Sequence, residues 1–184
     1  MIIETCEESG SFDLPPYLEA LNEQLGNPDM VVVLDSGGPD YDHVWMTEAL
    51  RGLVSGTLSV KVSHEGIDSG NSGGSIPSSF RIQRILLDRV EDSSSGKVTI
   101  PEMHVEIPEE VRDNAIALRE IVGDSIWEQF PTVDSLRQVS ETTEDMIVSM
   151  NWEPTLSIIG ADGIPSVQDA GNVLRTNTDL KLSF

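Results

Sequence analysis

Apolar and polar positions alternate most regularly between residues 54 and 62, where Val54, Leu58, Val60 and Val62 interleave with Ser55, Thr57, Ser59 and Lys61. A period of two turns one set inward and the other outward, so this stretch predicts a half-buried strand with one wet face, as in antiparallel sheets. The glycine- and serine-rich stretch GIDSGNSGGSIPSS then leads into a segment with Phe80, Ile82, Ile85, Leu86 and Val90 on one side of a helix, and DSSSGK closes it. A second helix is predicted from near Pro108, with Val111, Ala115, Leu118 and Val122 on its inner face. Residues 156–159 and the alternation Leu180, Leu182, Phe184 supply two more strands, the last running to the end of the chain. The segment TEDMIVSM fits a helix or a strand. From Leu53 onward the pattern is that of an α+β module, with three or four mostly antiparallel strands and two helices against one face.

The first 50 residues read differently. Met1, Ile2 and Ile3 make a short apolar run that suggests a buried strand delivering Glu7 and Glu8 to a loop. Pro15 and Pro16 can start a helix continued by Tyr17, Leu18, Leu21 and Leu25 at helical spacing. Residues 30–34 are continuously apolar and predict a strand, with Asp35 directly at its carboxyl end. Strand, helix and strand in that order imply part of a parallel sheet, whose carboxyl edge is where ligand-binding residues collect.

Composition narrows the functions more than it defines one. The 184 residues, 38% hydrophobic and 23% charged, suffice for one generous domain, or one domain and part of another. Thirty-two acidic against 11 basic residues give a formal charge of −21. That charge repels nucleic acid and anionic membrane surfaces, which bind through clustered Lys and Arg, so neither is expected as a partner. Cys6 is the single cysteine, so no intrachain disulfide forms, which fits a reducing compartment. No apolar run approaches the roughly 20 residues of a bilayer span, and the amino-terminal segment lacks the pattern of a signal peptide. These features read as a cytoplasmic protein.

Two adjacent glutamates at a strand end permit a division of labour, one carboxylate ligating a metal while its neighbour handles a proton. In so acidic a chain, Glu7 and Glu8 read equally as solvated surface carboxylates. Asp35 is either a ligand or a cap for the turn that follows it.

The stretches IIETCEESGSFDLPPYLEAL, VVVLDSGGPDYD, WMTEALRGLVSGTLSVKV, SGNSGGSIPSSFRIQRILLDRVED and GADGIPSVQDAGNVL, in that order and spacing, resemble a family of zinc peptidases. That family contains carnosinases and cytosolic dipeptidases, aminoacylases, carboxypeptidase G and succinyl-diaminopimelate desuccinylase. The resemblance implies that residues 1–50 are a partial α/β catalytic domain and that residues 51–184 are a lid and dimerisation domain ending inside its last strand. The fold expected is α+β, a lid of four antiparallel strands with two helices on one face beside that α/β fragment.

By the same resemblance Glu7 is the general base, and Glu8 and Asp35 are ligands of a dinuclear zinc site that can also accept manganese or cobalt. Similar enzymes draw their remaining ligands, including histidines, from segments that do not match this chain. His43, His64 and His104 lie elsewhere in the pattern and read as surface or strand-end residues. The family places a histidine that stabilises the oxyanion in an EGVHSG motif, but this chain reads EGIDSG, and Asp68 as an anion cannot donate a hydrogen bond there. Asn172 matches a polar position that approaches substrate across the dimer. The expectation is therefore a central fragment of a homodimeric hydrolase acting on dipeptides or N-acyl amino acids, inactive as a lone chain. The alternative is a non-catalytic dimerisation or binding module descended from that family.

Overall fold

The computed structural model describes residues 1–35 and 37–184, which fall into two compact units, Met1–Gly38 and Pro39–Phe184.

The smaller unit holds a 3-10 turn at Glu7–Ser9 and two short helices, α1 (Leu14–Ala20) and α2 (Asn22–Leu25). Pro15 and Pro16 open α1, where a missing N–H costs nothing because the first-turn amides have no helical partner anyway. The turn closes on Gly10 at φ 98°, a left-handed conformation that a side chain would strain. The strand expected over residues 30–34 is not formed, and neither is the one expected at the first three residues. Residues 30–34 are exposed, Leu34 to 93%. A continuous apolar run becomes a strand only when neighbouring strands complete its hydrogen bonds, and none does so among the described residues.

The larger unit is built on a three-stranded antiparallel sheet of β1 (Ser55–Lys61), β3 (Ser157–Asp162) and β5 (Asn177–Ser183), with β5 in the middle. In β1 the alternating pattern holds, since Val60 is buried and its neighbours Ser59 and Lys61 are exposed. It pairs with β5 from Ser55 opposite Ser183 to Lys61 opposite Asn177. The β3–β5 ladder shifts register between Ile158 and Gly160, a bulge that leaves Ile159 without an opposite residue. The lid sheet expected to have four strands thus has three among the described residues. The other two strands, β2 (Ile67–Asp68) and β4 (Val173–Leu174), form a separate two-residue antiparallel ribbon.

Helix α4 (Ser79–Leu87) begins at Ser78, whose hydroxyl accepts the Arg81 amide, and packs against β1 and β5. A buried polar contact fixes this packing: Gln83 is fully buried and donates from Nε2 to the carbonyls of Thr178 and Leu58, while the Ser79 and Thr178 hydroxyls meet at 2.6 Å.

The second helix, α5 (Glu109–Val122), does not join α4 on the sheet as its principal partner but packs on α7 (Thr143–Trp152). With α6 (Ser125–Glu128), these two enclose a core of Ala115, Ile126, Met146, Ile147 and Val148. The ambiguous segment TEDMIVSM is therefore helix. Thr142 caps it by accepting the Asp145 amide. Among the described residues no helix is long and apolar enough to cross a membrane.

Candidate functional site

Glu7 and Glu8 sit in the first 3-10 turn of the chain, both exposed. The turn is tied by amide bonds from Ser9 and Ser11 to the Cys6 carbonyl and from Gly10 to that of Glu7. Adjacent residues on a 3-10 turn project about a third of a turn apart. Asp35 is exposed beyond the apolar run, and Ser36, the next residue of its LDSG motif, lies outside the described residues. Among the described residues no three His, Cys, Asp or Glu side chains gather in a way that could hold a metal ion. The carboxylates singled out from the sequence do not by themselves build a metal centre.

In the larger unit the structure brings Asp68 and Asn172 together. The ribbon places Asp68 opposite Val173, and the amide of Ser69 donates to the carbonyl of Asn172 over 3.0 Å. Both side chains are exposed. Asp68 is also the cap of a four-residue helix, α3 (Ser69–Ser72): its Oδ1 accepts the Asn71 amide at 3.0 Å, and its carbonyl accepts the Ser72 hydroxyl at 2.9 Å. An aspartate here therefore has a structural role that a histidine at the same place would not fill as well. Gly66 lies close to Val173, since a Cβ on it would come within 2.9 Å of Val173 Cγ1, so a larger residue there would make the valine side chain shift.

His43 makes an exposed pair that the sequence pattern did not single out. Its Nδ1 lies 2.8 Å from Asp40 Oδ2, and Asp40 Oδ1 accepts the amides of Asp42 and His43 and the indole N–H of Trp45. Partial desolvation raises the Asp40 pKa, but these hydrogen bonds outweigh it and hold the carboxyl below its ordinary value. A spacing of three residues between Asp and His was the available signal. His104 bonds the Val98 carbonyl through Nε2 at 2.7 Å, and His64 is exposed, as surface or strand-end residues would be.

Among the described residues, the larger unit has a polar and a mostly apolar cavity. One, of about 570 Å³, is polar and acidic: Glu120, Asp124, Glu141 and Glu144 line it together with Arg119, whose Nε is 3.7 Å from Glu144. The other, of about 640 Å³, lies between the loop after α3 and the first turns of α4.

The human carnosine dipeptidase 1 superposes on 96% of this chain with a TM-score of 0.62 at 24% identity. The dipeptidase Dug1p of Saccharomyces cerevisiae covers 98% with a TM-score of 0.66 at 22% identity. The chain has the fold of these metallopeptidases. An M20 family metallo-carboxypeptidase of Sulfolobus solfataricus shares it as well, over 95% of the chain, with a TM-score of 0.60 and 18% identity. The resemblance drawn from the sequence motifs is thus borne out at the level of the peptidase fold. The chain spans 37% of each dipeptidase and 45% of the carboxypeptidase, so it corresponds to part of that fold.

No protein-family model matches the sequence. One curated protein, a component of the type 2 DNA topoisomerase 6 of Thermococcus kodakarensis, is 27% identical over 121 residues, which make up 64% of this chain and 20% of that protein. The peptidase likeness takes in nearly the whole chain in three dimensions.

Proposed function

We propose that the chain is a central part of a metal-dependent peptidase or amidohydrolase that cleaves dipeptides or N-acyl amino acids. The observation that carries this reading is the likeness of fold to the two dipeptidases and the carboxypeptidase across nearly all of the chain. In it, Glu7 takes the proton of the attacking water as that water adds to the amide carbonyl, then returns it to the leaving amine. Glu8 and Asp35 would contribute carboxylate oxygens toward zinc, manganese or cobalt, which would polarise the amide carbonyl, and further donors would be needed to complete the site. Asn172, exposed beside the ribbon, can donate its side-chain amide to a substrate oxygen. The larger unit pairs with a second copy, for which the open edges of β1 and β3 offer unpaired backbone groups. A cytoplasmic setting suits the lone Cys6.

A non-catalytic dimerisation or binding module is the second reading, and Asp68 favours it. Its carboxylate is committed to capping α3, and as an anion it repels the oxyanion that the family's histidine would stabilise.

The test begins with the natural gene product, purified with its metal and assayed on dipeptides and N-acyl amino acids. The hydrolase reading expects turnover that Glu7→Gln lowers by about 10²–10⁴-fold with dimerisation unchanged. Absence of turnover from a metal-loaded natural dimer would instead establish the binding module.

A further inference from the structure

We propose that the peptide step from Asp162 to Gly163 is a site of spontaneous backbone modification, at which the aspartate converts through a cyclic imide to isoaspartate. This does not rest on the peptidase reading. It is the only Asp-Gly step in the sequence. Glycine has no Cβ, so its amide nitrogen meets the least hindrance in reaching the carboxyl carbon of the residue before it. In the reaction that nitrogen bonds to Asp162 Cγ of the protonated carboxyl, and the carboxyl hydroxyl departs with the amide proton as water. Water then opens the ring. Attack at Cγ restores aspartate, whereas attack at the original main-chain carbonyl carbon gives isoaspartate, in which the chain runs through Cγ and a carboxylate hangs on Cα.

Both reacting groups are free. Asp162 is the exposed last residue of β3, and among the described residues neither a hydrogen bond nor an ion pair holds its carboxylate, nor does any acceptor hold the Gly163 N–H. Asp162 lies opposite Asp179 in the β3–β5 ladder, and like charges directly opposed across strands are unfavourable. Closing the ring removes one of them. The ladder ends at this pair, so only its terminal rung has to open. The Asp-Ser steps at Asp68 and Asp92 are tied instead: Asp68 Oδ1 accepts the Asn71 amide while the Ser69 amide donates to Asn172, and Asp92 accepts four bonds from Ser94 and Ser95. Isoaspartate would add a methylene to the main chain where Gly163 lies so close to the Asn177 carbonyl that even a Cβ has no room, so the modified chain loses the end of the β3–β5 pairing.

The experiment incubates the folded full chain in mildly acidic buffer made with heavy-oxygen water, then maps its peptides by electron-transfer fragmentation, which separates the two backbones. Each ring opening leaves one heavy oxygen at the site, whichever product forms. Heavy oxygen and isoaspartate are expected at residue 162 at a rate at least tenfold above that at Asp68 or Asp92. Urea is expected to speed the reaction at Asp68 and Asp92 more than at Asp162, because unfolding frees only theirs. Asp162→Glu, which would have to close a larger ring, is expected to abolish uptake in that peptide. No uptake at residue 162 in the folded chain, a rate less than tenfold above that at Asp92, or an acceleration by urea as great at Asp162 as at the other two would each overturn the proposal. The measurements on the unmodified chain decide the matter even if the variant folds poorly.

Discussion

The side-chain amide of Gln83 in α4 donates to the backbone carbonyl of Thr178 in β5 over 2.6 Å, so a fully buried polar side chain joins helix to sheet. Its second bond, to the Leu58 carbonyl at 3.1 Å, spans the neighbouring strand β1. Gln83→Met keeps the volume but strips a donor from the buried Thr178 carbonyl and the half-buried Leu58 carbonyl. Part of that loss is offset because Gln83 Oε1, buried without a partner among the described residues, disappears too. The net destabilisation expected is about 1–3 kcal/mol, read from urea unfolding of the chain. No change would mean that α4 is held by apolar contact alone.

Gly163 and Gly74 separate backbone strain from collision. Both have left-handed φ, +83° and +80°. A Cβ at Gly74 would meet nothing within 4 Å, whereas one at Gly163 would run into the Asn177 carbonyl oxygen. Gly74→Ala should therefore cost only the conformational penalty, about 1–2 kcal/mol. Gly163→Ala should cost clearly more and disturb the start of β5, seen as lost amide-exchange protection at Thr178 and Leu180. Equal losses would contradict the close approach.

Asp68→Ala should lower stability by about 1 kcal/mol through loss of the α3 cap, while Asp68→Asn should cost only a few tenths, since both side chains cap well. Thermal unfolding of the two variants distinguishes them. Equal destabilisation would show that the charge of Asp68, not its hydrogen bond to Asn71, matters.

Asp92 sets a pH dependence. The hydroxyl of Ser94 above all, then the Ser95 amide and hydroxyl and the Ser94 amide, hydrogen-bond its carboxylate and lower its pKa from 3.8 to about 2. A folded pKa below the unfolded one favours the folded state above pH 3.8, and this contribution fades as pH falls through about 2. The carboxyl carbon of Asp92 should titrate near 2 in an NMR series, and in Ser94→Ala the midpoint should rise. A midpoint unchanged by that substitution would remove the hydroxyl as the principal cause.

How legible each element was depended on how local its cause is. β1 was plain because alternation alone defines a half-buried strand, and Val60 with its exposed neighbours obeys it. α7 was ambiguous because Met146, Ile147 and Val148 are buried in succession, which blurs the helical period; only Ala115 and Ile126 packed around them explain why. The two-residue strands β2 and β4 are shorter than any period, so the meeting of Asp68 with Asn172 could be anticipated from family likeness but not from spacing. Glu7, Glu8 and Asp35 were recognisable as motif residues. Their gathering into a site depends on side chains that a local pattern does not contain.

The bare apolar run at residues 30–34 bears on how the protein behaves in a tube. The unit that carries it has eight carboxylates, Glu4, Glu7, Glu8, Asp13, Glu19, Glu23, Asp29 and Asp35, and no lysine, arginine or histidine. Like charge on this unit opposes any pairing of molecules along these five consecutive exposed apolar residues. That guard is colloidal, and it weakens as the Debye length shrinks from about 10 Å at 0.1 M salt to about 3 Å at 1 M. Light scattering should therefore rise with added sodium chloride, and a stock kept clear in dilute buffer would cloud in brine.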